Sequence, residues 1–391
     1  MSTPLRSLSD RPATSGARRA SGGAPRRQEK RLPGWVLLLA VILLLSLFFR
    51  NSANDRTSAA ASGDGPPPAP ADAYVVMCYN VENLFDTEDD PRTSDSEFTP
   101  SGANHWTRSH YQEKLQHLYE VIAHVGGWSA PAVAGLVEIE TRAVLDALME
   151  ETPLSRAGYA AVHYDSPDPR GIDVALLYRK ELVQGLRSAA QPVCFDGQPA
   201  RRTRDILHVE ALLGTDTVHF FVNHWPSRSG GERESAPLRQ QAARTLRRAV
   251  DGVLKDDPSA RILIMGDFND SPDDQSITRY LRAEQVADGL KPGALFNLTC
   301  ALRRTEKGSY KYQGQWDFLD QMIVSEGFLH APSGLFVQPD AMRLFSPDYL
   351  LEDDRSYLGK KPFRMYQGPQ YHGGYSDHLP VYVRLERRPV R

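Results

Sequence analysis

Six stretches of the chain place carboxylates, amides and imidazoles at the ends of apolar runs. Asn80 and Glu82 follow "VVMCY", Glu138 follows "VAGLV", and Asp267 and Asn269 follow "ILIMG". Asn223 and His224 close "HFFV", Asp320 interrupts "FLDQMIV", and Asp377 with His378 precedes "LPVYV". An acid inside an apolar run is costly to bury unless it is paired, hydrogen-bonded or bound to metal. Taken singly, each group has a plain explanation. Glu138 could be the first exposed residue after a strand, "GDFND" (266–270) a strand exit, and "NHWPSRSGG" (223–231) a loop around a packed Trp. Asp377-His378 could be the turn that opens a last strand. Asp320, flanked by Leu319 and Ile323, is hardest to explain this way, because an unpaired acid there would be expensive. Together the groups point to one shared site on the edge of a sheet.

The elements that must position them follow from periodicity. Short apolar runs read as strands over 74–80, 132–139, 172–179, 218–225, 261–269, 318–325 and 379–385. The run "RILIMGDFN" is continuously apolar, as expected of a strand covered on both faces. Helical spacing appears over 110–125, around 142–150, and over 237–254, where Leu238, Ala242, Leu246 and Val250 form one stripe. Many strands with intermittent helices imply an α/β protein in which two sheets pack together with helices outside.

The chain has 391 residues and four compositional zones. Residues 1–31 are basic and rich in Ser, Gly, Ala and Pro, which predicts a disordered cytoplasmic tail. Residues 32–49, "LPGWVLLLAVILLLSLFF", carry no charge; at 1.5 Å per residue they make about 27 Å of helix, the thickness of a bilayer core. The basic flank would stay inside, which predicts a single-pass signal anchor in a bacterial inner membrane with the remainder outside. "TSAAAS" (57–62) offers small residues for cleavage, but the apolar run is longer than a usual signal-peptide core. Residues 50–73 read as a Pro/Ala/Gly/Ser-rich linker. The zone 74–391 holds 36 basic and 44 acidic residues, a net of −8. That balance argues against gripping long nucleic acid through counterion release and suits a substrate whose charge a bound metal handles. Three cysteines, Cys78, Cys194 and Cys300, have neither metal spacing nor an even count for disulfides.

The motifs "YNVENLFD" (79–86), "GLVEIE" (135–140), "RGIDVALLY" (170–178), "NHWPSR" (223–228), "GDFND" (266–270), "WDFLDQ" (316–321) and "YSDHLPVY" (375–382) occur in order. In this the sequence resembles the endonuclease/exonuclease/phosphatase superfamily across residues 74–386, in the wording of a bacterial subgroup of undefined substrate. The resemblance implies a four-layer α/β/β/α sandwich over 74–391, preceded here by one transmembrane helix.

It also implies an Mg²⁺-dependent phosphoesterase, with Mn²⁺ as the alternative ion, because hard cations take oxygen ligands. Glu138, with Asn80 beside it and Asp377, would ligate metal. Asp267 and Asn269 would hold the attacking water and the scissile phosphate. His378 would act as general base or electrostatic stabiliser, oriented by Asp320 rather than by its neighbour Asp377, since adjacent residues of an extended chain point to opposite sides. His224 resembles the second histidine of the deoxyribonuclease branch. Arg228 and Arg170 are candidate phosphate clamps, a guanidinium fork matching phosphate geometry. The expected partner is a phosphate ester, whether nucleic acid, phospholipid or small molecule, and no protein partner is inferred. No stretch shows the basic, aromatic-interleaved surface of a nucleic-acid binder, although "YKYQGQW" (310–316) is aromatic. A catalytically dead, membrane-tethered binding protein would have lost some of these positions, and none is lost.

Overall fold

The computed structural model describes residues 73–127 and 130–388. The expected cytoplasmic tail, the span 32–49 and most of the linker lie outside them. Among the described residues no helix is long and apolar enough to cross a membrane.

The strands in chain order are β1 (Ala73–Leu84), β2 (Val133–Ile139), β3 (Tyr159–His163), β4 (Asp173–Arg179), β5 (Val183–Gln191), β6 (Ile206–Leu213) and β7 (Asp216–His224). They continue with β8 (Arg261–Asp267), β9 (Ala283–Glu284), β10 (Leu295–Asn297), β11 (Tyr310–Tyr312), β12 (Gln315–Asp317), β13 (Asp320–Ser325), β14 (Gly334–Phe336) and β15 (Arg343–Leu344). The last are β16 (Leu351–Asp353), β17 (Lys360–Pro362), β18 (Tyr366–Gln367), β19 (Gln370–Tyr371) and β20 (Val381–Arg388). The long helices are α1 (Arg108–Val125), α2 (Arg142–Glu150) and α3 (Glu232–Asp256).

One seven-stranded sheet runs β14-β20-β1-β2-β4-β3, with β15 also on β20; the other runs β5-β6-β7-β8-β13-β10-β9. Each has a parallel pair near its centre, β1 with β2 and β7 with β8, and β9 with β10 is parallel at the edge of the second. These strands are buried on both faces, which is why their sequences are apolar without alternation. Val76, Cys78 and Val383 of the first sheet meet Phe220, Val222 and Met265 of the second in one apolar layer. The opposite faces are covered separately. Met77, Tyr79 and Leu136 pack on Leu118, Ile122 and Leu145 of α1 and α2, and Phe221 and Ile264 pack on Ala242 and Leu246 of α3. The result is a mixed α/β sandwich, with Cys78 as a small core residue.

One boundary and two strands of the second sheet differ from expectation. Helix α3 starts at Glu232, five residues before Pro237, because Gly231 takes a left-handed backbone (φ 115°) and Glu232 and Glu234 favour the positive N-terminal dipole. Strands β5 and β6 were not expected. Only Val183 of β5 is buried, and charged and polar residues leave the strand without an apolar run.

Candidate active site

The ends of the central strands meet at one edge of the sandwich. In the second sheet the register sets His224 opposite Asp267, and Asp267 opposite Asp320, so three functional groups stand in one row across β7, β8 and β13. Asn223 falls opposite Gly266 in the same register. A Cβ on Gly266 would lie 2.0 Å from the Asn223 carbonyl oxygen, so only glycine allows β7 and β8 to close here. In the first sheet Asn80 lies beside Val137, one residue before Glu138.

Backbone strain marks the same edge. Glu82 (φ 53°), Asn83 (φ 58°), Glu138 (φ 69°) and Asn269 (φ 51°) all occupy the left-handed region that side chains disfavour. Glu82, Asn83 and Glu138 sit at register shifts within β1 and β2, Asn269 lies just past β8, and specific contacts hold these bends. Glu138 Oε2 accepts from the Asn83 amide at 2.9 Å, and Asp267 Oδ1 accepts from the Asn269 amide at 2.9 Å.

Asp267 Oδ2 is the meeting point of the two sheets. The Asn80 side-chain amide donates to it at 3.1 Å. His224 Nε2 and His378 Nε2 each stand 3.8 Å from the same oxygen, and His224 Nε2 lies 3.9 Å from Glu138 Oε1. His378 faces Asp320 through its other nitrogen, Nδ1 to Oδ2, at 2.7 Å, so the expected contact between them is made. Ser309 Oγ donates to that Asp320 oxygen at 2.7 Å, and the Tyr310 ring lies 4.7 Å from the imidazole. Ser376 Oγ accepts from the His378 amide and donates to the Asn80 carbonyl, tying the approach to β20 to the end of β1.

The electrostatics separate the two imidazoles. Burial alone would keep His378 neutral, but the Asp320 and Asp267 carboxylates overcome it and lift its pKa well above the usual value. Burial pushes His224 the other way, helped by the Arg204 and Arg170 guanidinium groups, and holds it neutral. Burial also raises Asp267 to about 6, against the stabilising charge of His378. One cationic and one neutral imidazole thus flank a carboxyl group that titrates near neutrality.

The remaining expected residues are placed as follows. Asn269 turns its side-chain amide to the Trp225 carbonyl at 3.1 Å. Arg228 donates to the Asn269 carbonyl at 2.8 Å and pairs with Asp317 at 3.1 Å, so it braces the loops after β7 and β8. Arg170 is exposed and donates to the Asn83 side chain beside Glu138. Asp377 faces the Arg364 guanidinium at 3.3 Å.

Several residues of this edge carried no sequence signal. Arg364 also binds Glu82, 282 positions away. Burial and the nearby Asp377 push the Glu82 carboxyl up to about 7. Lys114, from the middle of α1, is fully buried; its ammonium donates to the Val81 and Tyr375 carbonyls, and burial lowers its pKa to about 8. His163, Asp165 and Asp173 form a separate group, their ligand-type atoms within 4.8 Å of one another. Asp173 stands opposite Ile139, next to Glu138, and Asp165 and Asp173 face different nitrogens of His163, Nδ1 at 3.8 Å and Nε2 at 3.2 Å.

No curated protein matches the chain. Among solved structures it is similar to a humanized D. rerio TDP2 carrying 14 mutations, with 16% identity over 81% of this chain and 99% of that one and a TM-score of 0.49. It is similar to the human Nocturnin catalytic domain with bound sulfate, with 14% identity over 83% and 100% of the two chains and a TM-score of 0.48. A mannosyl-6-phosphatase of Bacteroides thetaiotaomicron matches at 14% identity over 80% and 99%, with a TM-score of 0.46. The profile of the Endonuclease/Exonuclease/phosphatase family matches residues 75–387, nearly the whole described fold. The chain therefore belongs to that family of metal-dependent phosphoesterase hydrolases.

Proposed function

We propose that the chain hydrolyses a phosphodiester or phosphomonoester by in-line attack of water, with Mg²⁺ as its cation. The observation that carries this reading is the convergence of His224 Nε2, His378 Nε2 and the Asn80 amide on Asp267 Oδ2.

The donor set suits a hard cation. Glu138 Oε1 accepts no hydrogen bond among the described residues, while Oε2 is held by the Asn83 amide. Asn80 Oδ1 accepts only the Glu82 amide. A carboxylate and an amide oxygen, without sulfur or an engaged imidazole, are what Mg²⁺ or Mn²⁺ takes. Glu138 and Asn80 would hold the ion, which when bound supplies positive charge to the ester oxygens. Asp377 joins them only if it leaves Arg364.

The chain's own residues account for the rest. A cationic His378 cannot take a proton, so it serves as an electrostatic stabiliser of the charged transition state, with Asp320 holding its tautomer. Neutral His224 lies across from it and can accept a hydrogen bond. Asp267, near neutrality and at the centre, is suited to orient the attacking water and take its proton. Asn269 sets the Asp267 carboxylate through its amide. Residues 32–49 support placement of the enzyme on the outer face of a bacterial inner membrane.

The test is hydrolysis by the full-length chain of DNA, RNA, sphingomyelin, phosphoinositides, nucleotides and nitrophenyl phosphates, with and without Mg²⁺. His378→Ala and Glu138→Ala should each abolish the activity found. Activity that survives both changes would sink the assignment, and the substrate that responds separates nuclease from phospholipid or small-molecule esterase.

A further inference from the structure

A cavity of about 170 Å³ opens beside the row of catalytic groups, between the loop that enters β6 and the loop that leaves β7. Arg201, Arg202, Thr203 and Arg204 line one side, and Ser227 and Ser229 the other. No carboxylate lines it. The space is large enough for several waters or for a tetrahedral anion.

Two features distinguish this cavity from a patch of solvated loop charge. Arg204 is 8% exposed and Thr203 4%, and both carry polar atoms, Arg204 Nε and Thr203 Oγ1, that are buried without a hydrogen-bond partner among the described residues. Buried donors without a partner are costly, and they leave the side chains of the cavity wall with hydrogen-bonding capacity unspent. Arg204 is also rigidly held. Its Nη1 donates to Asp168 at 3.0 Å and its Nη2 to the Trp225 carbonyl at 2.7 Å. Its forked group is thereby fixed beside the chain that carries His224. Arg201 and Arg202 add two exposed cations that pair with no carboxylate among the described residues; their hydrogen bonds go to Gln198 and to backbone carbonyls.

We infer that this cavity binds a second phosphate of the substrate while the first lies against His378 and Asp267. The inference rests on the phosphoesterase reading and narrows it: the substrate carries at least two phosphates, held a short distance apart. Rigid Arg204, the Thr203 hydroxyl and the two serines recognise the tetrahedral oxygens, and Arg201 and Arg202 supply the remaining charge. The second phosphate stays intact.

Two measurements on the full-length chain test this. In the first, the nitrophenyl ester of thymidine 5′-phosphate is compared with the same ester bearing a 3′-phosphate, or a 3′-phosphodiester to a second thymidine. The expected result is a kcat/KM at least tenfold higher for one doubly phosphorylated ester, and a ratio near one in Arg201→Ala/Arg202→Ala and in Thr203→Val. A larger gain from the diester identifies a neighbouring linkage of a strand, and from the monoester a terminal phosphate of a small molecule. A ratio near one in the unsubstituted chain overturns the inference.

The second measurement is thermal stabilisation by inorganic phosphate in the presence of EDTA, which requires no turnover. The half-saturating phosphate concentration should rise at least tenfold in Arg201→Ala/Arg202→Ala and remain unchanged in His378→Ala. The reverse pattern, or no stabilisation, overturns the subsite. If none of these esters is hydrolysed, the phosphate titration alone decides the cavity, and the catalytic reading is decided by the wider substrate panel.

Discussion

Replacing Asp320 by Asn removes a charge from beneath His378 while leaving an oxygen that can still accept from Nδ1. Asp320 is fully buried and Oδ2 lies 2.7 Å from that nitrogen. Loss of an opposite charge at this range lowers a histidine pKa by about 1 to 3 pH units. His378 keeps one carboxylate, Asp267 Oδ2, 3.8 Å from Nε2, so it should remain raised, but less so. At about 1.4 kcal/mol per unit, about 1.5–4 kcal/mol of folding free energy is lost where the imidazole is charged. A group whose folded pKa is raised contributes fully below its unfolded pKa, about 6.5, and loses that contribution as pH rises through the folded value. The stability deficit of Asp320→Asn should therefore be largest at pH 5.5–6.5 and shrink toward alkaline pH. A further constant cost of about 1–3 kcal/mol is expected, because the new amide N–H₂ replaces Oδ1, which has no partner among the described residues. Histidine proton NMR titration and thermal unfolding, both in EDTA, read these effects, and turnover should fall by about 10²–10⁴. An unmoved His378 midpoint together with a pH-independent deficit would refute the account of this pair.

Three other perturbations follow from the same geometry. Gly266→Ala drives a Cβ to within 2.0 Å of the Asn223 carbonyl, and should cost about 3 kcal/mol or more in urea unfolding. Asp270→Asn strips the carboxylate from Arg239, which is fully buried and bound through Nε, and should destabilise by about 3–5 kcal/mol; a urea midpoint close to the unsubstituted chain's contradicts that pairing. Lys114→Met removes a buried lysine lowered to about 8. The unfolded chain binds more protons between about 8 and 10.4, so the unsubstituted protein should gain stability relative to Lys114→Met as pH rises through that window. Denaturation at pH 7.5 and 10 checks the sign.

Much of the site was legible because its residues terminate unbroken apolar runs. Asp267, His224 and Glu138 stand where buried strands end, and a strand buried on both faces announces itself by composition. Arg228 shows the limit of that reading. A guanidinium in a polar loop looks like a phosphate clamp until Asp317, 89 residues on, is found to hold it. Arg364 and Lys114 lie in segments whose local pattern is ordinary, so nothing nearby in the chain distinguishes them.

By itself the sequence determined the seven central strands, the three long helices and the side chains those strands deliver to their ends, because burial on both faces dictates an unbroken apolar run. Pairing was decided only by tertiary structure. Asp320 shares a row with Asp267 and His224 because β8 lies between β7 and β13, and His378 meets it because residues 309–310 lie against the approach to β20. The same distant registers place the Arg201–Arg204 loop against the loop that leaves His224. Strand order and register are set by the summed packing of two sheets, and no local spacing of residues encodes them.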